Sequence, residues 1–546
     1  MAARASQVPP QLFDLLTKSE YEPTATQLVG CPPFGTGGHV CCWIHRESPL
    51  PGCSARAGIL RANRDGTLCA LLAAHVRTID KAPGGKSRKH IPHKEPAGGT
   101  ATLEAAAAVE RNRLKRYLRI LGPGLITGAS DDDPSGIGTY AVAGAQLGYA
   151  PLWTALITLP LMASIQFICA KIGMVSGMGL AGVLRRHYPR PLLYAAVVGL
   201  FAANTINVGA DIGAIAAGVN VIVPIPISWM IVPTAAIILA LQILCSYRLI
   251  ARIFKWLTLA LFAYIGAALF ANPDPGGVIR ATFIPTLSLE PTFLSTLVAI
   301  LGTTISPYLF FWQSSQEVEE EVHMGRTRLW QRRGATDAEL KYAALDVNTG
   351  MFFSNVVMYF IILATAATLH AAGQTDIKSA ADAAQALRPL AGDAAGILLA
   401  LGLIGAGLLA VPVLSGSAAY AMSEAFGWRY GLDQNPGRAK QFYGVIVVAT
   451  LVGMLINFVG INPIDALFWT AVINGFVAPP LLVLIMLVAN NRKIMQNRTN
   501  GLATNVLGWI ATLAMFARQP CRRQALGNRL TEQRRGVLAS PNHLEA

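Results

Sequence analysis

"TGASDDDPSGIGT", residues 127–139, interrupts an apolar stretch that otherwise has the length and character of a membrane helix. A proline inside a helix removes one hydrogen bond and costs about 3 kcal/mol. A carboxylate at mid-membrane costs at least ~2.5–3.5 kcal/mol on insertion scales. Asp133-Pro134 places both penalties side by side, and Gly128, Gly136 and Gly138 weaken the helix further. Without water, every backbone group in hydrocarbon must find an internal partner. Irregular backbone at that depth therefore persists where it lines a cavity or binds something.

The chain around this stretch has the composition of a membrane protein. Of its 546 residues 53% are hydrophobic and 14% charged, with a mean hydropathy of +0.45. A soluble globular protein carries about 25% charge. A bilayer core of about 30 Å asks for about 20 apolar residues per helix. From residue 117 onward eleven candidate segments can be drawn, near 118–147, 150–176, 191–222, 227–246, 249–271, 292–316, 347–369, 394–423, 440–460, 464–488 and 502–517. The expectation is an all-α polytopic membrane domain over residues 111–517. A poorly ordered cytosolic extension, 1–110, precedes it, and a basic tail, 518–546, follows.

The net charge of +14 is explained by its placement. Basic residues cluster before segment one (Arg111, Arg113, Lys115, Arg116, Arg119). They return after segment two (Arg185, Arg186, Arg190), four (Arg248, Arg252, Lys255), six (Arg326, Arg328, Arg332, Arg333, Lys341), eight (Arg429, Arg438, Lys440) and ten (Arg492, Lys493, Arg498). The intervening loops are nearly free of them. This is the positive-inside pattern with a cytosolic N-terminus, so the charge does not mark a nucleic-acid groove. The arginines after segment eleven, such as Arg518 and Arg522, break the pattern and leave open whether that short segment crosses.

The first hundred residues show no leader pattern of a charged region followed by an apolar one. Cys31, Cys41, Cys42, Cys53 and Cys69 form no C-x-x-C pair, so a zinc site is weakly supported there. "GGKS" at 84–87 lacks the first glycine of a phosphate loop, since residue 80 is Asp80. No nucleophile–base pair or H-E-x-x-H spacing suggests an enzyme. Cys169 and Cys245 read as packing residues.

Segment six repeats the interruption as "LGTTISPYLFFWQ", 301–313, where Gly302, Thr303, Thr304, Ser306 and Pro307 break an apolar run. The two breaks lie five segments apart, and an odd separation inverts the orientation of the second copy. Two interrupted helices at matching positions of inverted five-helix halves point to a transporter's central site. Asp133 offers a hard anionic oxygen, unwound helix offers free carbonyls, and Thr303 and Ser306 offer hydroxyls. That set suits a cation with oxygen ligands.

At these residues the chain resembles the natural resistance-associated macrophage protein (NRAMP) family of divalent metal transporters, over roughly 111–517. The resemblance rests on the Asp-Pro break, the Pro after "LGTTI", the stretch "NTINVGADIGAI" at 204–215 and the eleven segments. It implies a LeuT-type 5+5 inverted repeat with an eleventh helix, helices one and six unwound at mid-membrane, and alternating access. No permanently bound cofactor is implied; the partners are the transported ion and the bilayer of a bacterial inner (plasma) membrane.

The departures are specific. The family's Asp-Pro-Gly-Asn is Asp133-Pro134-Ser135-Gly136 here, so the Asp ligand carries over and the Asn ligand does not. The family's Ala-x-x-Met-Pro-His is Thr303-Thr304-Ile305-Ser306-Pro307-Tyr308. The Thr303 carbonyl carries over, whereas Ser306 replaces the Met and Tyr308 replaces the His of the proton route. Asp211 is kept, but the acid expected three residues later is Ala214, and no Arg lies in 440–460 to pair with Asp211. A thioether favours manganese and iron over magnesium and calcium, and Mg²⁺ dehydrates reluctantly. The pattern is similar to the NRAMP-related magnesium transporters, which implies import of Mg²⁺ or Mn²⁺ with weak or absent proton coupling. The expected metal residues are Asp133, Ser135, Gly136, Thr303 and Ser306. Candidates for the pathway are Asp131 and Asp132 as a vestibule ring, Asp211, Tyr308, Gln313, Gln316, and Asn474 as a hinge with Gly475. The acidic run Glu317, Glu319, Glu320 and Glu321 is expected to follow helix six as a solvated run paired with nearby arginines. His187, His323 and His370 fall at segment ends or in loops. Two other readings stay open: a sodium-coupled organic-solute carrier on the same repeat, and a metal sensor without flux.

Overall fold

The computed structural model describes residues 40–44, 57–61, 122–244, 262–377, 380–384, 392, 395–460 and 463–516. The chain divides into two compact units, Met1–Glu95 and Pro96–Ala546. In the first, β1 (Val40–Ile44) pairs antiparallel with β2 (Ala57–Arg61), Val40 opposite Arg61 and Ile44 opposite Ala57. Cys41 and Cys42 therefore sit on a strand. The expected basic clusters before segment one and after segment four, "GGKS", Cys31, Cys53, Cys69, Cys245 and the arginine tail lie outside the described residues.

Among its described residues the second unit's regular structure is all helical. Segment one is two helices, α1 (Pro123–Asp131) and α2 (Pro134–Leu147), followed by α3 (Trp153–Ser176) and the short α4 (Leu180–His187). Then come α5 (Arg190–Ile222), α6 (Ile227–Leu244), α7 (Ala263–Phe270) and α8 (Pro275–Phe283). Segment six is also two helices, α9 (Pro291–Thr304) and α10 (Pro307–His323). The chain continues through α11 (Leu329–Arg332), α12 (Asp337–Thr365), α13 (Ala380–Ala384), α14 (Ala395–Phe426), α15 (Lys440–Ile456), α16 (Pro463–Ala489), α17 (Arg492–Met495) and α18 (Leu502–Phe516).

Among the described residues, 8 helices are long and apolar enough to cross a membrane, with α9 and α10 counted as one span. The α1–α2 pair, α7 and the 15-residue α18 account for the other expected segments. Side chains such as Val232, Ile237 and Leu244 on α6 are exposed, as lipid-facing residues are. Polar ones such as Asp211, Gln166 and Asn204 are buried inside the bundle.

Two boundaries differ from the sequence reading. Helix α12 begins at Asp337, ten residues before the expected 347, because Thr336 and Glu339 form a capping box that starts it in polar sequence. Helix α10 runs to His323, so the acidic run lies within it and not after it.

Small residues bring the elements of the site together. A Cβ built at Gly124 or Gly128 would overlap the α12 backbone at Val347 and Gly350, and one at Gly350 would overlap Gly124. Helix α1 thus lies backbone to backbone on α12, the small-xxx-small approach that membrane helices use. Gly302 on α9 meets Ala471 and Gly475 on α16 in the same way.

Candidate metal site

Each break occurs where a proline follows residues that have left helical geometry. Asp132 has φ −82° and ψ 50°, and Ile305 has φ −112° and ψ 62°. Pro134 and Pro307 then open α2 and α10 at a first-turn position, where a missing N–H costs nothing.

Asp133 caps α2. Its Oδ1 accepts the Gly136 N–H at 2.8 Å and the Ser135 hydroxyl at 2.5 Å. Its Oδ2 faces other elements. Asn207 Nδ2 on α5 lies 3.3 Å away, and the Tyr308 hydroxyl on α10 lies 3.2 Å away. That hydroxyl also lies 2.8 Å from the Ser130 carbonyl, and its single proton serves one of the two at a time. The short bonds are local and the long ones span the gap between helices, so Oδ2 is the oxygen open to exchange for an ion.

The second break closes against the first. A Cβ added at Gly136 would lie 3.3 Å from Thr303 Oγ1, 3.4 Å from the Asp131 carbonyl and 3.4 Å from the Tyr140 ring. The space beside Gly136 is therefore closely bounded by both breaks and by the Tyr140 ring. Ser306 Oγ donates to the Thr303 carbonyl at 2.6 Å and lies 3.1 Å from the Gly302 carbonyl. Asp133, Ser135, Gly136, Thr303, Ser306 and Tyr308 thus form one contiguous group.

Around this group sit oxygens with nothing to bind. Among the described residues, both carboxylate oxygens of Asp211, Asn207 Oδ1 and one oxygen of Asp131 are buried without a hydrogen bond. Thr303 Oγ1 and the Tyr140 hydroxyl make no well-formed one. Asp211 follows Asn207 by one helical turn on α5 and lies within Coulombic reach of Asp133. Asp131 and Asp132 do not form an open ring: both are buried and converge on Ser354 of α12, at 2.8 and 3.2 Å. Among the described residues no Lys or Arg pairs with any of the four acids. A buried carboxylate without a counter-charge is costly, and four of them form a site with a deficit of positive charge.

Three candidates lie apart. Gln313 accepts from Thr127 at 2.5 Å and donates to Glu317 at 2.9 Å. Gln316 reaches the Tyr420 hydroxyl at 3.4 Å. Helix α16 runs unbroken through Asn474 and Gly475, and Asn474 Nδ2 is buried without a hydrogen bond. His187, His323 and His370 each end a helix, and His370 contacts the Ala145 carbonyl at 2.9 Å.

The sequence reading did not assign Asn207, Ser354 or Asp346. Asn207 stands four residues before Asp211 in the quoted third-helix stretch, a spacing that puts both on one face. Ser354 and Asp346 carry no local signal. Asp346 on α12 accepts the N–H groups of Gly122, Gly124 and Leu125 at 2.9, 2.6 and 3.1 Å, and so caps the start of α1.

A sequence profile of the family described as natural resistance-associated macrophage protein-like, Nramp, matches residues 124–519. Among solved structures the chain is similar to the manganese transporter of Eremococcus coleocola. The structure of that protein in complex with an aromatic bis-isothiourea substituted compound gives a TM-score of 0.62 at 18% identity, over 75% of this chain and 87% of that one. A mutant of the same transporter gives 0.61 at 18% identity, over 79% and 90%. At that identity the likeness establishes a shared fold.

Proposed function

The chain belongs to the Nramp family of divalent metal transporters, and on that premise we propose that it is a secondary transporter importing Mg²⁺ or Mn²⁺ by alternating access. The observation that carries this reading is the set of four buried acids, Asp131, Asp132, Asp133 and Asp211, gathered where the two helix breaks meet and, among the described residues, without a basic partner. A doubly charged cation supplies part of the missing charge. In this reading Asp133 Oδ2 and the Thr303 carbonyl bind it, Asn207 Oδ1 and Asp211 stand behind them, and Tyr308 gives up its contact with Asp133 as the ion enters.

The donor set is all oxygen. Ser306 stands where the resemblance places a thioether, and hard oxygen ligands suit Mg²⁺ and Mn²⁺ better than softer ions. Hydroxyls and waters hold Mg²⁺ without full dehydration. Weak or absent proton coupling fits a break that carries Tyr308 in place of a histidine. The organic-solute alternative is not favoured by any group at the breaks.

The test is uptake into liposomes reconstituted with the purified protein. Asp133→Ala is expected to cut Mn²⁺ and Mg²⁺ uptake by roughly a hundredfold or more, the upper end of what loss of even an outer-shell group costs. The variant is expected to remain monodisperse. Uptake at the wild-type rate would end the proposal. Uptake that requires an imposed pH gradient would end the uncoupled part of it.

A further inference from the structure

The acidic run on α10 divides by face. Glu317 and Glu321 turn inward: Glu317 accepts from Gln313 at 2.9 Å, and Glu321 meets Arg326 at 3.3 Å. Glu319 lies on another face together with His323, one turn further along. There they meet Asp433 from the loop between α14 and α15. One donor atom from each of Glu319, His323 and Asp433 lies within 4.8 Å of the other two, and His323 Nε2 is in direct contact with Asp433 Oδ2.

The loop that delivers Asp433 is held in place. The Tyr443 hydroxyl lies 3.0 Å from the Leu432 carbonyl and 3.1 Å from the Gln434 carbonyl, bracing the residues on either side. The Leu432 N–H donates to the Tyr420 hydroxyl at 3.3 Å. Gly431, at φ +133°, brings its backbone against Glu319, where a Cβ would lie 2.7 Å from the carboxylate. That φ favours glycine and permits the approach.

The geometry points to a second divalent-cation site, formed by Glu319, His323 and Asp433 at the far end of α10 from the break. Two carboxylates balance a doubly charged ion, and water completes its shell. One imidazole makes the site softer than the all-oxygen group around Asp133, so it selects Mn²⁺, Co²⁺ or Zn²⁺ over Mg²⁺. Glu319 lies thirteen residues beyond Ser306, about 20 Å along the helix at 1.5 Å per residue. The two sites therefore do not share an ion. A cation here fastens the end of α10 to the loop between α14 and α15, and α10 begins at the break itself.

The test is equilibrium dialysis of the full chain in detergent against MnCl₂. Wild-type protein is expected to bind Mn²⁺ at two classes of site, and Asp133→Ala at one. Adding Asp433→Ala to Asp133→Ala is expected to remove the remaining class. A hundredfold excess of MgCl₂ is expected to leave the class in Asp133→Ala occupied. Equal Mn²⁺ stoichiometry in the single and double variants would overturn the proposal, as would full displacement by Mg²⁺. Should Asp433→Ala aggregate, His323→Gln in the same background makes the same comparison, with Mn²⁺ binding weakened about tenfold or more. Retention of this class together with a silent Asp133 site would sink the transport reading and leave this one standing.

Discussion

The two oxygens of Asp133 have separable tasks. Oδ1 caps α2, and Oδ2 reaches across to Asn207 and Tyr308. Asparagine caps a helix about as well as aspartate, yet its amide nitrogen cannot accept those bonds or bind a cation. Asp133→Asn is therefore expected to melt within a few degrees of wild type while losing the class of Mn²⁺ site at the helix breaks, read by thermal unfolding and by dialysis. A matching loss of both would mean that the residue is structural only. Ser306 tests selectivity at the same scale. Ser306→Met places a soft sulfur at the second break, and the ratio of Mn²⁺ to Mg²⁺ uptake is expected to rise; an unchanged ratio would refute the hard-donor argument. Asp133 was legible in the sequence because capping a helix explains one acid beside a proline in an apolar run, but not a second break at the matching position of segment six. Asn207 was not. A single Asn on a long helix can point anywhere, and only the packing of α5 against the first break turns it toward Asp133.

Helix α1 is a nine-residue element that local forces alone would not hold, since isolated helices under about 12–15 residues are marginal in water. Its stability is borrowed from α12. The Asp346 carboxylate takes three of its first amides, and Gly128 lies on Gly350. Asp346→Ala leaves those amides without an acceptor, and hydrogen bonds to charged groups contribute roughly 1.5–3 kcal/mol. Amide exchange at residues 122–125 is expected to accelerate selectively, with α2 unaffected; uniform exchange across both helices would contradict the clamp. Hydropathy revealed both breaks, because Pro, Gly and polar residues stand out against an apolar background. It could not reveal the first ten residues of α12 or the last turns of α10. Those turns are polar, and their helical state depends on a capping box and on partners such as the buried Gln313 and the half-buried Arg326.

The unit Pro96–Ala546 is a helical bundle in which, among the described residues, the acids at the helix breaks outnumber the cations able to neutralise them. Binding of an ion there stabilises the folded state by mass action, about 2.7 kcal/mol when the ion is at a hundred times its dissociation constant. MnCl₂ is therefore expected to raise the melting temperature of the wild-type chain, and to do so less in Asp133→Ala. Equal shifts in the two would place the stabilising ion elsewhere.

The seating of α1 also fixes what can move. Its beginning is held by Asp346 and its last carboxylate by Ser354, residues of the same helix more than two hundred positions later in the chain. To α2 it is joined only by the short non-helical stretch at Asp132–Asp133. Spin labels on α1 and α12 should keep a constant separation when Mn²⁺ is added. On this geometry α1 is not a lone half-helix free to pivot by itself but the shorter arm of a pair whose longer arm is made more than two hundred residues later.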